Sequence, residues 1–537
     1  MVSAVLFITF FVLLVLNVPI AVCLGLSSAA AILYSGTSLT IVATNIYSGI
    51  SKFLLLAIPF FVLSGNIMAK AGISTRLIRF VDTCVGHRKG GIANVCIIVA
   101  CFFGAISGSG PATVAALGAV LIPAMVERGG FSAAFSTALM ATSSSIAIVI
   151  PPSIAFVVYA SITGVSIGDM FMAGIIPGIL MGLALVVVVM LEVRRNHVMP
   201  SNVEKASAKE RWNAFKDAFW GFLMPIIILG GIYGGFFTPT EAAAVSVVYG
   251  LFVGMVIYKE VKFKDLWEIL IDSAKTTGGI MLIVACASLF SFVCTRFGIS
   301  TAASELLARV AGNQFTFLLI CNIIFLIAGC FIDANSAMYI FIPIMLPVCK
   351  ALGYNVIAFG IMATVNLAIG QVTPPVGVNL FVAIGIKLRD GIRVTLQEIS
   401  RAVVPMVAAS IAVLLIITYI PQISTCLPAA LGSAAAIEND ETVGGDSGTT
   451  QTDNDDFNTI GDYSDLDWAD MTWNFTCSTT ETSTWAQAGR KFGELMEQAT
   501  GGKVKVDVYA ADQLTGGNQS EGIQALMNGD PVQISMH

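Results

Sequence analysis

Long apolar segments, separated by short polar loops, occupy most of the first 428 residues of this chain. A helix that crosses a bilayer needs about 20 apolar residues, and most of these segments approach or exceed that length. The pattern therefore predicts an all-α polytopic membrane protein. The apolar segments lie near residues 3–18, 20–34, 53–69, 92–127, 131–162, 171–192, 218–237, 241–258, 276–297, 315–351, 355–387 and 401–420.

The composition excludes a soluble globular chain. Only 12% of the residues are charged and the mean hydropathy is +0.84, whereas soluble domains carry about 25% charged residues. Three histidines in 537 residues also argue against most metalloenzymes and general-base enzymes. The net charge of −6 is unevenly divided, because residues 429–537 hold 18 acidic and 4 basic residues whereas the rest hold 16 and 24. We therefore expect a membrane body with an acidic tail, and no nucleic-acid partner.

Four of the apolar segments are interrupted near their middle. The segments 92–127 and 315–351 are broken by polar, glycine-rich residues, which suits helical hairpins that enter and leave the membrane on one side. The segments 131–162 and 355–387 each contain a Pro-Pro pair. Proline removes a backbone donor and clashes one turn back, so each pair is expected to open its helix within the membrane. Such breaks are tolerated where they line a cavity enclosed by protein.

These landmarks recur in order and at a nearly constant spacing, which predicts an internal duplication. The segment 72–75 returns as 298–301 at an offset of 226, Pro123 returns as Pro347 at 224, and Pro151-Pro152 returns as Pro374-Pro375 at 223.

Loop charge predicts the orientation of the two halves through the positive-inside rule. Residues 70–89 contain five basic residues, 194–216 contain six and 387–401 contain four, whereas the loops 36–52 and 236–240 contain one between them. Five full crossings in each half put all three basic stretches in the cytoplasm and both termini outside it. Because an odd number of crossings inverts the second half, the prediction is an inverted repeat with one re-entrant hairpin in each half, the plan of secondary transporters.

The turn of the first hairpin, Gly104 to Thr113, offers the chemistry of an ion site. Its small residues allow a tight bend, Pro111 suits the start of the returning helix, and hydroxyls, free carbonyls and a helix N-terminus meet there. This combination suits a sodium ion beside a carboxylate. The alternative is close helix packing through small residues.

Asp333, in the turn of the second hairpin, is costly at this depth and is a functional candidate for that reason. It could be a cation ligand, a proton carrier or a cap for the returning half-helix.

The two Pro-Pro breaks are expected to expose backbone carbonyls, and neutral oxygens suit a monovalent ion. The alternative is a proline kink used only for packing. We assign the substrate to the polar side chains that surround the breaks and the hairpin turns: Ser109, Thr113, Ser144, Ser153, Asn335, Asn366 and Asn379.

The body, roughly residues 2–425, resembles the large membrane (permease) subunit of TRAP transporters, the tripartite ATP-independent periplasmic carriers. The resemblance rests on five segments: Asn17 to Ile20, Ala57 to Phe61, Gly104 to Thr113, Ile150 to Ser153 and Thr373 to Leu380. It implies a sodium-coupled importer of small organic acids, such as C4-dicarboxylates or sialic acid, in the bacterial cytoplasmic (inner) membrane. It also implies an elevator movement of a mobile part against a scaffold, and no cofactor besides Na⁺ as the coupling ion.

The same resemblance implies two sodium sites related by the repeat. The first would use Ser107, Ser109 and the carbonyls near Ala147, Ile150 and Pro152; the second would use the carbonyls near Gly329, Gly370 and Val376, with Thr373, and Asp333 is a further candidate. Members of the family commonly have glycine where Ala147 stands. The implied partners are a small four-helix membrane subunit and an extracytoplasmic substrate-binding protein. Because the chain begins at its own first span, we expect no small subunit fused in front of it.

The tail carries a second resemblance. From Trp473 onward it is similar to the start of a TRAP substrate-binding protein, with an amphipathic helix near 483–498 leading into an alternating strand at 503–509. A fusion cut short is the preferred explanation, and the tail is expected to lie in the periplasm. The expected divisions are a first repeat at 1–195, a cytoplasmic connector at 196–217, a second repeat at 218–428, an acidic disordered linker at 429–470 and a partial binding-protein segment at 471–537.

Two other functions compete with the tripartite importer. One is a stand-alone sodium-coupled carboxylate carrier or antiporter built on the same inverted repeat. The other is a membrane-embedded hydrolase with Ser107 or Ser109 as the nucleophile, which lacks a plausible base within the membrane because the three histidines lie in loops and at the chain end.

Overall fold

The chain forms two compact units, residues 1–444 and 445–537. The computed structural model describes residues 2–16, 18–195, 205–386, 394–431, 471–477, 490–494, 496–497, 503–510 and 534–536. The predicted disordered linker lies outside the described residues from position 432 onward. Its first two residues instead finish a helix, because the apolar residues at the end of the body continue the helical pattern to Ala430.

Among the described residues, the first half of the membrane body contains ten α-helices. They are α1 (Val2–Val15), α2 (Ile20–Tyr34), α3 (Thr40–Ile50), α4 (Ala57–Lys70), α5 (Ile73–Val85), α6 (Gly91–Ser107), α7 (Gly110–Glu127), α8 (Ala133–Ser145), α9 (Ile154–Thr163) and α10 (Ile167–Arg195). A 3-10 turn (Phe53–Leu56) precedes α4 and another (Ile146–Ile148) follows α8.

The described part of the second half also contains ten α-helices. They are α11 (Ala208–Tyr233), α12 (Pro239–Phe252), α13 (Phe263–Arg296), α14 (Ile299–Ala311), α15 (Gln314–Phe331), α16 (Ala334–Ala351), α17 (Val356–Gly370), α18 (Val378–Ile384), α19 (Leu396–Tyr419) and α20 (Gln422–Ala430). A π-helical turn (Val253–Ile257) extends α12.

The predicted multi-pass membrane protein is confirmed. Within the described residues, nine helical segments are long and apolar enough to cross a bilayer. Shorter helices occur at the interrupted segments: α6 precedes α7 in the first, and α8 with α9 and α17 with α18 form the two that contain Pro-Pro pairs. In the two segments with Pro-Pro pairs, each helix is shorter than the 18 residues of the candidate spans.

Helix α11 begins ten residues before the apolar segment that predicts it. Ser207 accepts a hydrogen bond from the Glu210 backbone N–H, and the Glu210 carboxylate accepts one from the Ser207 backbone N–H. This capping box satisfies two backbone donors and starts the helix within a charged stretch. The apolar pattern does not detect it, because charged residues of the first turns mask the helix, so part of the expected connector 196–217 is helical.

The interrupted helices form the centre of the body. Every residue of α17 except Val356 is buried, as are residues 135–145 of α8 and 154–161 of α9. Hydroxyl and amide side chains are buried with them, and an unpaired buried polar group is costly. The polar residues at this depth are therefore candidates for function as well as for packing.

Ion pairs join the basic stretch 70–89, which loop charge predicts to be cytoplasmic, to acidic residues of the second half. Lys70 pairs with Glu268, Arg76 with Glu260 at 2.6 Å, and Arg79 lies 3.6 Å from Asp217. Each pair connects the first half to the second. Their positions agree with a topology in which the α4–α5 turn and the loop before α13 lie on one side.

The second unit contains a small parallel sheet. Its strands are β1 (Met471–Cys477), β2 (Val504–Ala510) and β3 (Ile534–Met536), in the order β2-β1-β3. Met471 pairs with Val504 and Phe475 with Ile534, and both pairings are parallel. The alternating strand predicted at 503–509 is present, shifted by one residue, and the described residues 490–494 and 496–497 are helical.

Candidate functional site

The first hairpin, α6 with α7, turns at Gly108, whose φ of 60° is in the left-handed region that favours glycine. Three hydroxyl-bearing residues cluster around the turn. Ser107 Oγ lies 2.8 Å from Thr113 Oγ1, and Thr113 Oγ1 donates to the Ser109 carbonyl at 2.8 Å. The predicted residues Ser107, Ser109 and Thr113 are thus brought together at one helix N-terminus, where several backbone N–H groups have no partner within the helix.

This hairpin packs against the first break, which we define as residues 146–153. A Cβ atom built on Gly104 would lie 2.8 Å from Ala147 Cα, and one built on Gly108 would lie 2.9 Å from the Pro152 carbonyl oxygen. Because these separations are shorter than real Cβ contacts, both positions require glycine. The structure therefore places Ala147 and Pro152 beside the serines of the turn.

Ile150 lies in the same break. Its N–H donates to the Ile146 carbonyl at 3.0 Å, and a Cβ atom on Gly178 would lie 2.4 Å from the Ile150 side chain. The side chain of Ile150 is held against α10, so any part it plays toward a ligand falls to its backbone carbonyl.

The second hairpin, α15 with α16, turns through Asp333, which is the N-cap of α16. One carboxylate oxygen accepts hydrogen bonds from the N–H groups of Asn335, at 3.0 Å, and Ser336, at 3.2 Å. The other accepts from Ser336 Oγ at 2.5 Å. Capping, one of the three roles considered for Asp333, is therefore observed. A carboxylate has about four lone-pair positions, so this role leaves room for a cation.

The contact of the second hairpin with the second break, residues 371–377, resembles that of the first. A Cβ atom on Gly370 would lie 2.5 Å from the Cα and carbonyl carbon of Gly329. Thr373 donates its hydroxyl to the Ile369 carbonyl at 2.7 Å and its N–H to the Gly370 carbonyl at 3.0 Å. Gly377 N lies 3.4 Å from the Cys330 carbonyl, which places Val376, one residue earlier, at the same contact.

Each hairpin also contacts the break of the other half. Helix α7 of the first hairpin packs against α18, and α16 of the second hairpin packs against α9. Ser161 Oγ of α9 lies 3.0 Å from the Tyr339 hydroxyl of α16. Two hairpins and two interrupted helices thus form one interlocked assembly.

The remaining predicted substrate residues occupy different surroundings. Ser153 caps α9 and donates to the Ile148 carbonyl at 2.5 Å, so its hydroxyl stabilises the backbone of the first break. Ser144 is buried, and its hydroxyl has no partner among the described residues. Asn335 Oδ1 is likewise buried and unpaired within the described part of the chain.

Asn366 is occupied by a network inside the second half. Its Nδ2 donates to Asn322 Oδ1 at 2.7 Å and to the Met362 carbonyl at 2.8 Å. Asn322 in turn reaches Thr418 of α19 at 3.4 Å. The structure therefore gives Asn366 a structural partner that the sequence pattern did not predict.

Two buried amides meet the first hairpin at Gly110. A Cβ atom on Gly110 would lie 2.7 Å from Gln371 Oε1, 2.8 Å from Asn379 Nδ2 and 3.0 Å from Asn379 Oδ1. Asn379 was predicted at the site and Gln371 was not. A polar residue three positions before the Pro-Pro pair is the signal that could have identified it.

Lys52 is a further residue that sequence analysis left aside. It precedes α4, and its Nζ donates to the Ser161 carbonyl near the end of α9 at 2.7 Å. Partial burial lowers the pKa of Lys52. This contact ties the start of α4 to the interlocked assembly.

The ligand types match a monovalent ion better than a transition metal. In the described residues, no three His, Cys, Asp or Glu side chains cluster as metal ligands would. The groups gathered at the hairpin turns are hydroxyls, backbone carbonyls and one carboxylate, which are hard oxygen donors. An open cleft of about 430 Å³ lies elsewhere, lined by residues of the ion pairs including Arg76, Arg79 and Asp217.

Comparison with known proteins identifies related transporters. Residues 7–423 match the family described as the tripartite ATP-independent periplasmic transporter, DctM component. The chain is 41% identical over 410 residues to the C4-dicarboxylate TRAP transporter large permease protein DctM of Pseudomonas aeruginosa, covering 76% of this chain and 94% of the relative. It is 35% identical over 400 residues to the sialic acid TRAP transporter large permease protein SiaM of Vibrio cholerae, covering 74% and 92%.

A solved structure shares the fold. The Alcanivorax borkumensis YdaH transporter aligns with a TM-score of 0.52 at 14% sequence identity, covering 73% of this chain and 88% of that one. At this identity the likeness concerns the fold alone. The relatives and the family match agree that the body of this chain is a transporter permease, not an enzyme.

Proposed function

This chain belongs to the DctM-component family of tripartite ATP-independent periplasmic transporters, and on that premise we propose that it imports small organic acids with the energy of a sodium gradient. It is a TRAP transporter large permease and a multi-pass membrane protein. Relatives are named for C4-dicarboxylates, sialic acid and 2,3-diketo-L-gulonate. A small carboxylate of this kind is the substrate class we propose here.

The observation that carries the proposal is a close backbone contact at a glycine, which occurs once in each half. Gly104 meets Ala147 in the first half, and Gly329 meets Gly370 in the second. The two contacts are related by sequence offsets of 225 and 223, close to those of the other repeated landmarks. This repetition supports an inverted repeat of five crossings and one re-entrant hairpin in each half.

We propose one sodium site at each contact. The first would use the Ser107 and Ser109 oxygens with the carbonyls of Ala147, Ile150 and Pro152. The second would use Thr373, the carbonyls of Gly329, Gly370 and Val376, and the Asp333 carboxylate. The donor sets fit sodium, because close backbone approach brings carbonyls of two elements together and hydroxyls add neutral oxygens.

The interlocked assembly is the proposed mobile part of an elevator. Because α7 packs on α18 and α16 packs on α9, both hairpins and both breaks would move as one body. The surrounding helices, including α2, α3, α4 and the long α13 that packs against them, would be the scaffold. The elevator movement would then break the hydrogen bond from Lys52 to the Ser161 carbonyl.

A small four-helix membrane subunit, an extracytoplasmic substrate-binding protein and the bacterial cytoplasmic membrane complete the proposal. Residues 471–537 are proposed to be a partial binding-protein segment, lying in the periplasm. The parallel pairing of β1 with β2 supports a β-α-β opening. The family match ends at residue 423, so this part of the proposal depends on the tail alone.

The test is uptake of labelled acids into proteoliposomes that contain this chain, its small subunit and an intact binding protein. We expect accumulation only with an inward sodium gradient and the binding protein. Sodium-driven uptake without the binding protein would replace the tripartite importer with a stand-alone carrier. Uptake that is indifferent to the sodium gradient would remove the coupling ion from the proposal.

A further inference from the structure

The open cleft of about 430 Å³ beside the basic stretch 70–89 carries both signs of charge. Helix α5 contributes Arg76 and Arg79 to its lining, whereas the second half contributes Asp217 of α11 and Glu260, which follows the π-helical turn. Two guanidinium groups and two carboxylates leave the lining without net charge. None of these residues belongs to the hairpin turns or to the breaks, so the proposed transport does not use them.

The two arginines differ in how firmly they are held. Arg76 donates to Glu260 at 2.6 Å and to two backbone carbonyls at 3.2 and 3.1 Å, and its guanidinium lies 3.9 Å from the centre of the Tyr258 ring. The side chain of Arg79 is 71% exposed, and it lies 3.6 Å from Asp217, which is 54% exposed. An exposed pair at this separation is weak. Arg79 and Asp217 therefore keep hydrogen-bonding capacity for a bound group.

The cleft lies where two apolar segments end. Asp217 immediately precedes the segment 218–237 of α11, and Ile257, an apolar residue of the lining, is next to the end of the segment 241–258. The Tyr258 hydroxyl donates to the Asp217 carbonyl at 2.6 Å, so these two ends are in contact. A cleft at this level faces the lipid headgroups, on the side that loop charge predicts to be cytoplasmic.

An apolar stripe on α12 and its π-helical extension leads toward the cleft. Val248, Phe252 and Val256 follow at intervals of four residues, and each is about half exposed or more. Residues at this spacing lie on one side of a helix. The next residue after Val256 is Ile257, which lines the cleft. Such a stripe suits the acyl chains of a lipid whose headgroup is bound in the cleft, whereas a soluble ion would gain nothing from it.

The charges of the cleft select the headgroup. A purely anionic headgroup would meet two carboxylates as well as the arginines, and a lone cation would meet two guanidinium groups. A headgroup with both charges can use every group. Its phosphate accepts hydrogen bonds from Arg79, whose planar guanidinium matches phosphate oxygens. A primary ammonium donates to the carboxylates through three N–H groups, whereas a quaternary ammonium has the same charge but no N–H to donate.

We propose that this cleft binds the headgroup of a phosphatidylethanolamine lipid, with Arg79 on the phosphate and Asp217 on the ammonium, beside Glu260. Charged pockets between membrane helices are known to bind lipid headgroups. The bound lipid connects α5 of the first half to α11 and the end of α12 in the second half. This inference goes beyond the proposed function, because lipid binding requires neither the substrate nor sodium.

The experiment measures binding of defined lipids to the delipidated full chain in detergent, by native mass spectrometry. Phosphatidylethanolamine is compared with phosphatidylcholine of the same acyl chains, which differs by three methyl groups on the nitrogen, and with phosphatidylglycerol, which lacks the ammonium. We expect phosphatidylethanolamine to bind roughly fivefold more tightly than either. Soluble phosphoethanolamine, the headgroup without acyl chains, is expected not to compete at the lipid concentration that fills the site.

Two variants test the residues of the cleft. Arg79→Gln and Asp217→Asn each remove one charge at an exposed position, and both are expected to lower the preference for phosphatidylethanolamine toward one. Arg309→Gln on α14 and Asp272→Asn on α13 make the same changes at exposed residues outside the cleft lining and are the matched controls. Since exposed ion pairs contribute little to stability, all four variants are expected to keep the melting temperature of the unmodified chain.

Equal binding of the three lipids, or an unchanged preference in both cleft variants, would overturn the inference. Stronger binding of phosphatidylglycerol would replace it with a site for anionic lipids, and competition by phosphoethanolamine at equal concentration would replace the lipid with a soluble ligand. A preference lost equally in the two control variants would reduce the effect to the overall charge of the protein. Sodium-driven uptake is measured separately, so a failure of the proposed transport would leave the lipid result in place.

Discussion

Gly370 and Gly329 meet backbone to backbone, so closely that a Cβ atom on Gly370 would lie 2.5 Å from two backbone atoms of Gly329. A flexible side chain could move out of the way, but here both partners belong to packed helices. The break and the hairpin can therefore come together only without a side chain at this position. This contact brings the carbonyls of two elements to one place.

Gly370→Ala is predicted to lower sodium-driven uptake by at least about tenfold, because helices α15 and α17 must separate to admit the methyl group. Uptake into proteoliposomes and the amount of protein in the membrane are the measurements. The matched control is Gly279→Ala, where a Cβ atom meets no described atom within 4 Å. That control is expected to be neutral or slightly stabilising, since alanine favours a helix over glycine. Equal uptake by both variants would contradict the steric argument.

The equivalent change in the first half, Gly104→Ala, is predicted to have the same effect. Its Cβ would lie 2.8 Å from Ala147 Cα and 2.9 Å from Ala147 Cβ. Ala147→Gly removes only the second of these contacts, so the double variant is expected to recover little uptake. Gly278→Ala, another open helical position, is the control. Normal sodium-driven uptake by Gly104→Ala would argue against equivalent ion sites in the two halves.

The membrane class, the hairpins and the breaks were predictable from sequence because each produces a local pattern within one stretch of the chain. Apolar length indicates spans, and Pro-Pro pairs indicate where a helix must open. Pairing between distant elements leaves no such mark. Asn366 illustrates this limit, since its hydrogen bond to Asn322 joins residues 44 positions apart. Gln371 was overlooked for the same reason, because its side chain lies against Gly110 in the other half of the chain.

Helix starts were harder to predict where the first turns of the helix contain charged residues. The charged residues that follow Ser207 lower the hydropathy of the first turns of α11, although the capping box favours a helix there. For Asp333 the sequence indicates a functional role more readily than a structural one. A lone acid in an apolar segment suggests function, and only the structure reveals the two backbone N–H groups that it caps.

The capping and ion-binding roles of Asp333 can be separated by two substitutions. Asp333→Ala is predicted to destabilise the fold by about 0.5–2 kcal/mol, the usual cost of losing an N-cap. Asp333→Asn keeps an acceptor oxygen and should restore the melting temperature in detergent. If the carboxylate also binds sodium, the asparagine variant will still need more sodium for half-maximal uptake, and this is the result we expect. An unchanged sodium dependence in Asp333→Asn would restrict the residue to capping.

Tyr159→Phe is predicted to lower thermal stability without altering the sodium dependence of uptake. The Tyr159 hydroxyl donates to the Val356 carbonyl at 2.6 Å and links α9 to α17 within the interlocked assembly. Removing it loses one hydrogen bond, at a cost of about 0.5–1.5 kcal/mol, because the Val356 carbonyl at the start of α17 still accepts a backbone bond within the helix. Tyr249→Phe is the control, because its hydroxyl also donates to a backbone carbonyl, at 2.7 Å, but from a partly exposed position. A smaller loss of melting temperature in Tyr159→Phe than in the control would contradict the argument.

Thr373→Val tests the second sodium site with little change of shape. The substitution keeps the β-branched side chain and removes the hydroxyl, which donates to the Ile369 carbonyl at 2.7 Å and is a proposed ligand of the second sodium ion. Losing one oxygen ligand is expected to raise the sodium concentration for half-maximal uptake, while membrane insertion stays normal. Thr163→Val is a matched control, because Thr163 makes the same bond to the residue four positions earlier, at 2.9 Å, at the end of α9. If both variants shift the sodium dependence equally, the effect belongs to the helix end and Thr373 is not a ligand. A shift confined to Thr373→Val would locate the ion at the second break, beside the backbone contact of Gly329 and Gly370.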